Sequence, residues 1–174
     1  MSDGLIGGPL QRYGGKGRTA HLLIPHFAAA LTYAEACMGA GGVFFRVPSG
    51  TYRQRAVNDL DSSLVTFFRV LRDRPDELVR VCELTPYALE EFIAALEPSD
   101  DPLEEARRVW VRSRQGFGGK ARSPGDWGRN PTRAEGATGH NWNPSKTASK
   151  LETLRTYARS LLSVAIDCLD GAAF

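Results

Sequence analysis

Short apolar runs alternate with longer stretches of helical period along this chain. Residues 31–36 form the first short run. It leads into Glu35, then a cluster of Gly39, Gly41 and Gly42, then Val43, Phe44 and Phe45. That order predicts a strand, a tight turn and the start of a helix. A second strand closes over residues 55–58 and a third covers 163–167. Between the second and third strands the period changes. Leu64, Phe67, Phe68 and Leu71 recur at i, i+3, i+4 and i+7, the mark of an amphipathic helix, with Asp61 or Ser62 as its cap. Pro75 breaks that pattern and opens a short helix carrying Leu78, Val81 and Cys82. Thr85 before Pro86 predicts an N-cap for a helix with Leu89, Phe92, Ile93 and Leu96 inward. Asp101 followed by Glu104 has the spacing of a capping box, ahead of Ala106, Val109 and Trp110. A last helix over 146–162 places Leu151, Leu154, Ala158, Leu161 and Leu162 on its apolar side. Residues 19–27 read as a short helix interrupted by Pro25.

The alternation of strand, glycine turn and strand predicts a doubly wound α/β domain interrupted by a helical insertion. Glycines in such a turn let the backbone approach a ligand with no side chain between. Asp59 follows Gly39 by twenty residues and ends the second strand, where a carboxylate is placed to accept hydrogen bonds from a ribose. An adenosine-bearing ligand is the expectation. The bland alternative is a glycine turn that closes an ordinary strand–helix unit.

Charge sharpens this picture at one place. The chain of 174 residues carries a net charge of only +2, so a nucleic-acid partner has to be met by local charge. Residues 112–133 supply it, with Arg112, Arg114, Lys120, Arg122, Arg129 and Arg133 against the single acid Asp126. Phe117, Trp127 and later Trp142 are interleaved with glycines, and the low periodicity predicts a long loop or hairpin. Arginine, aromatic and glycine together suit phosphate contact and base stacking, against the plainer reading of a solvated basic loop. Glycines around Lys16 suggest a second anion cradle. It is not a triphosphate-binding loop, because Leu10 stands where that motif needs its first glycine and Gly17 where it needs Ser or Thr. His21 and His26 are five apart and lack the partner Glu of a zinc motif, so both read as structural or surface residues and no metal is expected. Cys37, Cys82 and Cys168 are odd in number and far apart, which predicts buried, reduced thiols and a cytoplasmic setting. Glycine and proline stand where the apolar core of a signal peptide would be, residues 1–8 read as a loose terminus, and no apolar run reaches membrane-spanning length.

These residues together resemble the Dam-type adenine-specific DNA methyltransferases. Tyr13-Gly14-Gly15-Lys16 looks like the family's N-terminal Y/W-x-G-G-K motif. The run from Tyr33 to Gly41 is similar to its first cofactor motif, with Ala36-Cys37 in place of the usual Pro-Phe. Asn58-Asp59-Leu60-Asp61 resembles the ribose-binding acidic turn, and Thr85-Pro86-Tyr87 with residues 112–119 resembles the helical recognition part. The resemblance implies an incomplete Rossmann-like, S-adenosylmethionine-dependent methyltransferase fold of α/β class with an inserted helical DNA-recognition subdomain. Residues 1–61 and 147–174 would form the cofactor domain, and residues 62–146 the insertion with a basic loop at 112–146.

By the same resemblance, S-adenosyl-L-methionine is the cofactor and adenine in double-stranded DNA the substrate. Glu35, Gly39 and Gly41 would hold the methionine end, Asp59 the ribose and Asp170 the adenine. Tyr13, Gly15 and Lys16 would complete the cofactor site, with Lys16 where cofactor and target base meet. Arg112, Arg114, Phe117, Lys120 and Arg122 are the expected DNA contacts. The family's catalytic D/N/S-P-P-Y/F/W motif is absent, and no Pro-Pro pair occurs in the sequence. No catalytic residue is therefore expected in this chain. The motif is expected downstream of Phe174, in a C-terminal part of the enzyme that the chain would need as a partner. A restriction-modification setting is the associated expectation. Two alternatives stay open: a binding module that catalyses nothing, and an NAD-dependent oxidoreductase, against which the helical insertion and the basic stretch count.

Overall fold

The structure is a computed structural model describing residues 7–48, 50–128 and 144–174, the side chains of 144–148 excepted. The expectations placed on residues 1–6 and on Arg129, Arg133 and Trp142 lie outside the described residues.

Three strands, β1 (Thr32–Glu35), β2 (Gln54–Asn58) and β3 (Val164–Asp167), form a parallel sheet in the order β1-β2-β3. The register sets Tyr33, Arg55 and Val164 abreast, then Ala34, Ala56 and Ala165, then Glu35, Val57 and Ile166. Side chains alternate between faces along a strand. The Tyr33 and Val57 rows therefore share one face, which is buried, while Ala34 and Ala165 on the other face are exposed. The sequence predicts a doubly wound sheet, and among the described residues the helices cover one face only. The protein is a mixed α/β molecule built on a small parallel sheet.

Among the described residues six α-helices accompany it: α1 (Ala20–Leu23), α2 (Ser62–Asp73), α3 (Pro75–Glu83), α4 (Leu89–Ala94), α5 (Pro102–Gln115) and α6 (Pro144–Leu161). The predicted stripe of α2 is buried at Leu64, Phe67, Phe68 and Leu71, and it packs mainly on α5. Asp61 is its cap, accepting from the Leu64 amide at 3.3 Å. Leu64, Phe67 and Phe68 of α2 belong to one continuous core with Val57, Val164 and Ile166 of the sheet, Trp110 of α5, and Leu154 and Tyr157 of α6. A smaller cluster of Phe92, Ala95 and Val111, with Leu96, Ala121 and Trp127 against it, lies where α4 meets α5 and the loop beyond it.

Five local expectations are corrected. Of the three thiols expected to be buried only Cys82 is, since Cys37 lies exposed in the turn after β1 and Cys168 is half-buried after β3. The glycine turn after β1 leads into a single 3-10 turn (Phe44–Arg46), because Val47 leaves the helical region and Pro48 comes next. Thr85 is not an N-cap. Its hydroxyl donates back to the Val81 carbonyl at 2.7 Å, and α4 begins four residues later after Ala88. Glu104 does not close a capping box on Asp101. It pairs with Arg107 and Arg108 at 2.7 and 2.8 Å, while Glu105 accepts from the Ser99 amide. The basic stretch is not loop from its start, since α5 runs on through Arg112 and Arg114 to Gln115. The hairpin expectation holds beyond Gln115, where Gly116 and Trp127 form an antiparallel bridge and the Gly128 amide donates to the Gln115 carbonyl at 2.7 Å.

An open sheet edge is an association hazard. At β3 the hazard is met by α2, whose Arg69 and Arg72 donate to the Ile166 and Val164 carbonyls at 2.7 and 3.3 Å.

The segment before α1 lies as a strap between α5 and the glycine turn. The Gln11 amide donates to Ser113 Oγ at 2.7 Å, and that hydroxyl donates back to the Gln11 carbonyl at 3.1 Å. Arg114 donates to the Pro9 carbonyl. Further along, backbone meets backbone. A Cβ on Gly42 would lie 2.7 Å from the Gly17 nitrogen, so the loop around Lys16 rests directly on the glycine turn.

Candidate functional site

The carboxyl ends of the three strands converge through one buried side chain, Asn58, which is 1% exposed. Its amide nitrogen donates to the Ala36 carbonyl after β1 and the Leu169 carbonyl after β3, at 2.9 and 3.0 Å. Its oxygen accepts from the Leu169 amide at 2.8 Å. Sequence reasoning sees Asn58 only as part of the acidic turn. A polar residue directly after Ala56 and Val57, where the strand turns inward, is the signal that could have found it, since such a group is retained inside only when fully hydrogen-bonded.

Next to it, Asp59 accepts from the Gly39 amide at 2.7 Å through one oxygen and from the Asp61 amide at 3.0 Å through the other. The pair that the sequence sets twenty residues apart is thus in direct contact. Asp59 braces the turn, and each of its oxygens keeps a second lone pair. Gly39 sits at φ +55° with open space where a side chain would point. Gly41 differs. It is buried, and a Cβ there would lie 2.5 Å from the Phe45 ring, so its bareness serves packing.

Glu35 accepts from the Tyr33 hydroxyl at 2.7 Å. Burial raises its carboxyl above the usual carboxylate range, opposed by the Tyr33 hydrogen bond and by the charge of Lys16. Burial, then the bond to Glu35, raises the Tyr33 phenol as well. Glu35 and Lys16 line one cavity of about 580 Å³ together with Tyr33, Cys37, Phe27 and Tyr52. That volume lies inside the range of about 300–1,000 Å³ usual for small-ligand sites. Asp170 comes after β3 and is exposed, its carboxylate accepting from the Ala172 amide at 2.9 Å. Gly171 beside it is in ordinary contact distance of Ala36 and Cys37, so the turn after β3 borders the end of β1. The structure therefore brings Lys16, Glu35, Gly39, Asp59 and Asp170 to one end of the sheet.

Tyr13, Gly15 and the expected DNA contacts are distributed differently. Gly15 is exposed in the turn before Lys16, its amide donating to the Arg12 carbonyl at 3.1 Å. Tyr13 is not in the lining of the Glu35 cavity. Its exposed ring lies under the Lys120 ammonium, 4.9 Å from the centroid. Arg112 donates to the Ala95 carbonyl at 2.7 Å and pairs with Glu105, 4% exposed, at 2.8 Å. Arg114 stacks on Trp110, 4.6 Å from the ring centroid, and burial lowers its guanidinium to about 10. Both are occupied within the fold. Phe117, Lys120 and Arg122 are exposed on the loop beyond α5. Neither Lys120 nor Arg122 has a carboxylate at ion-pair distance among the described residues.

Among the described residues no cluster of three or more His, Cys, Asp and Glu is placed to hold a metal, and no helix is long and apolar enough to cross a membrane. A parallel sheet with a glycine turn and a carboxylate at adjoining strand ends is the arrangement of α/β proteins that bind their ligands at the carboxyl edge. The family model of D12 class N6 adenine-specific DNA methyltransferases matches residues 13–174, and the chain belongs to that family. No curated protein matches the chain.

Proposed function

We propose that the chain binds S-adenosylmethionine at the strand ends and presents adenine-containing duplex DNA to it. The contact of Asp59 with the Gly39 amide at 2.7 Å, beside a cavity walled by Glu35 and Lys16, is the observation that carries this reading. The donor set fits the cofactor's chemistry. The cofactor has an ammonium for Glu35, ribose hydroxyls for the free lone pairs of Asp59, and an adenine for Asp170. Gly39 leaves the backbone bare where a ligand can approach, and Gly15 and Gly41 shape the two turns that hold Lys16 and Gly39 in place. The bound sulfonium supplies an electrophilic methyl group. The residues of this chain bind and orient, which is the main catalytic device in such a transfer.

The target adenine has to leave the base stack to reach the site. In our reading the exposed Phe117, Lys120 and Arg122 face the DNA. Arg112 and Arg114 shape the helix that carries their loop. The small core of α4, α5 and this loop is the recognition part. The sequence has no D-P-P-Y-type motif to engage the exocyclic amine, so residues 1–174 alone bind without transferring a methyl group. A cytoplasmic, restriction-modification setting suits this activity.

Titration calorimetry with S-adenosylmethionine tests the reading. Asp59→Ala removes charge-assisted hydrogen bonds of about 1.5–3 kcal/mol, so affinity should fall roughly 10- to 150-fold. Circular dichroism separates this from loss of the turn that Asp59 braces. An unchanged affinity in a folded variant removes Asp59 from the site.

A further inference from the structure

The Y-G-G-K motif is split between two cavities that share no lining residue. Lys16 lines the cavity of Glu35. Tyr13 and Arg12 line a different cleft of about 510 Å³, closed on its far side by Lys120 and Arg122. Four cations face this cleft, counting Arg112, against two acids, Asp61 and Asp126. The acids are committed. Asp61 pairs with Arg12 at 2.9 Å and caps α2, and Asp126 accepts from the Arg122 and Ser123 amides at 2.8 and 3.1 Å. Arg112 is committed too, to Glu105. Lys120 and Arg122 have no carboxylate at ion-pair distance among the described residues, although the charge of Lys120 is felt by Asp126, and both sit on a loop pinned by Asp126 and by the bridge from Gly116 to Trp127. The loop is also seated on the strap, since a Cβ on Gly119 would lie 2.8 Å from the Arg12 Cα.

Two held cations beside a tyrosine face are the chemistry of a phosphodiester next to a base or sugar. We propose that this cleft is a DNA backbone subsite, that Lys120 and Arg122 hold its phosphates, and that Tyr13 belongs to it rather than to the cofactor cavity. This rests on the methyltransferase reading, and it removes Tyr13 from the cofactor set that the resemblance implies. Tyr13 is joined to Lys16 through only two glycines, so the subsite and the cofactor cavity are neighbours along the chain.

The test uses residues 1–174 with a labelled adenine-containing duplex, read by anisotropy over a salt series, and with S-adenosylmethionine read by calorimetry. Lys120→Gln and Arg122→Gln should each flatten the log affinity against log salt slope by about 0.9. Tyr13→Ala should weaken DNA binding roughly 3- to 10-fold, the range of a cation–π and stacking contact, with S-adenosylmethionine affinity in the absence of DNA held within about twofold. Tyr13 is 72% exposed, so its removal leaves the core intact. Loss of cofactor affinity in Tyr13→Ala with DNA affinity unchanged overturns the assignment while leaving the methyltransferase reading in place. Unaltered salt slopes in both glutamine variants overturn it equally. A wild-type chain that binds neither DNA nor S-adenosylmethionine fails the methyltransferase reading itself and the subsite with it.

Discussion

Within one basic stretch of this chain, Arg112 and Arg114 turn into the protein while Lys120 and Arg122 stay at its surface. Residue type does not separate the pairs, nor does local charge. What separates them is the end of α5. Up to Gln115 the helix has neighbours on several sides: Ala95 and Glu105 take Arg112, and Trp110 and the strap at Pro9 take Arg114. Past Gly116 the chain folds back on itself, and Lys120 and Arg122 stay exposed on that loop. A cation that meets a buried carboxylate or a buried aromatic face is taken into the fold. Lys120, over the exposed ring of Tyr13, and Arg122 stay open to a ligand.

Four substitutions can break this contrast. Arg112→Ala should cost the most, about 3–5 kcal/mol in urea unfolding, because it strands the buried Glu105 carboxylate. Adding Glu105→Gln should recover part of the loss, and a double-mutant cycle without coupling would show that the pair is not the cause. Arg114→Ala should cost about 2–3 kcal/mol through lost stacking on Trp110 and an orphaned Pro9 carbonyl. A change below about 0.5 kcal/mol would place its guanidinium in solvent. Lys120→Ala and Arg122→Ala should each stay within about 0.5 kcal/mol of wild type, as surface changes do. A larger loss would make the loop cations structural and erase the distinction.

Much of the frame is legible in the residues. The strands arise from short apolar runs, α2 from its i, i+3, i+4, i+7 stripe and Asp61 cap, and α5 from Asp101-Pro102. The end of α5 is not legible, because Ser113, Arg114 and Gln115 are polar and read as loop. They are buried by partners about thirty to a hundred residues away, Gln11, Pro9 and Pro86, which no local period reports. The Gly39–Asp59 spacing is legible as a pair, and the structure closes it into a contact. The separation of Tyr13 from Lys16 is not, since motif adjacency says nothing about which way neighbouring side chains face.

Asn58 carries a consequence for the order in which the molecule is made. Its amide ties Ala36, 22 residues before it, to Leu169, 111 residues after it. As the polypeptide emerges from the ribosome amino-end first, β1, its glycine turn and β2 are all exposed while the helices α2 to α6 are still being added. The lock on the strand ends closes only when β3 arrives. Closing so long a loop is slow relative to forming the local helix contacts between. The ligand end of the sheet thus cannot close before β3 has been made, and it then closes around a single carboxamide.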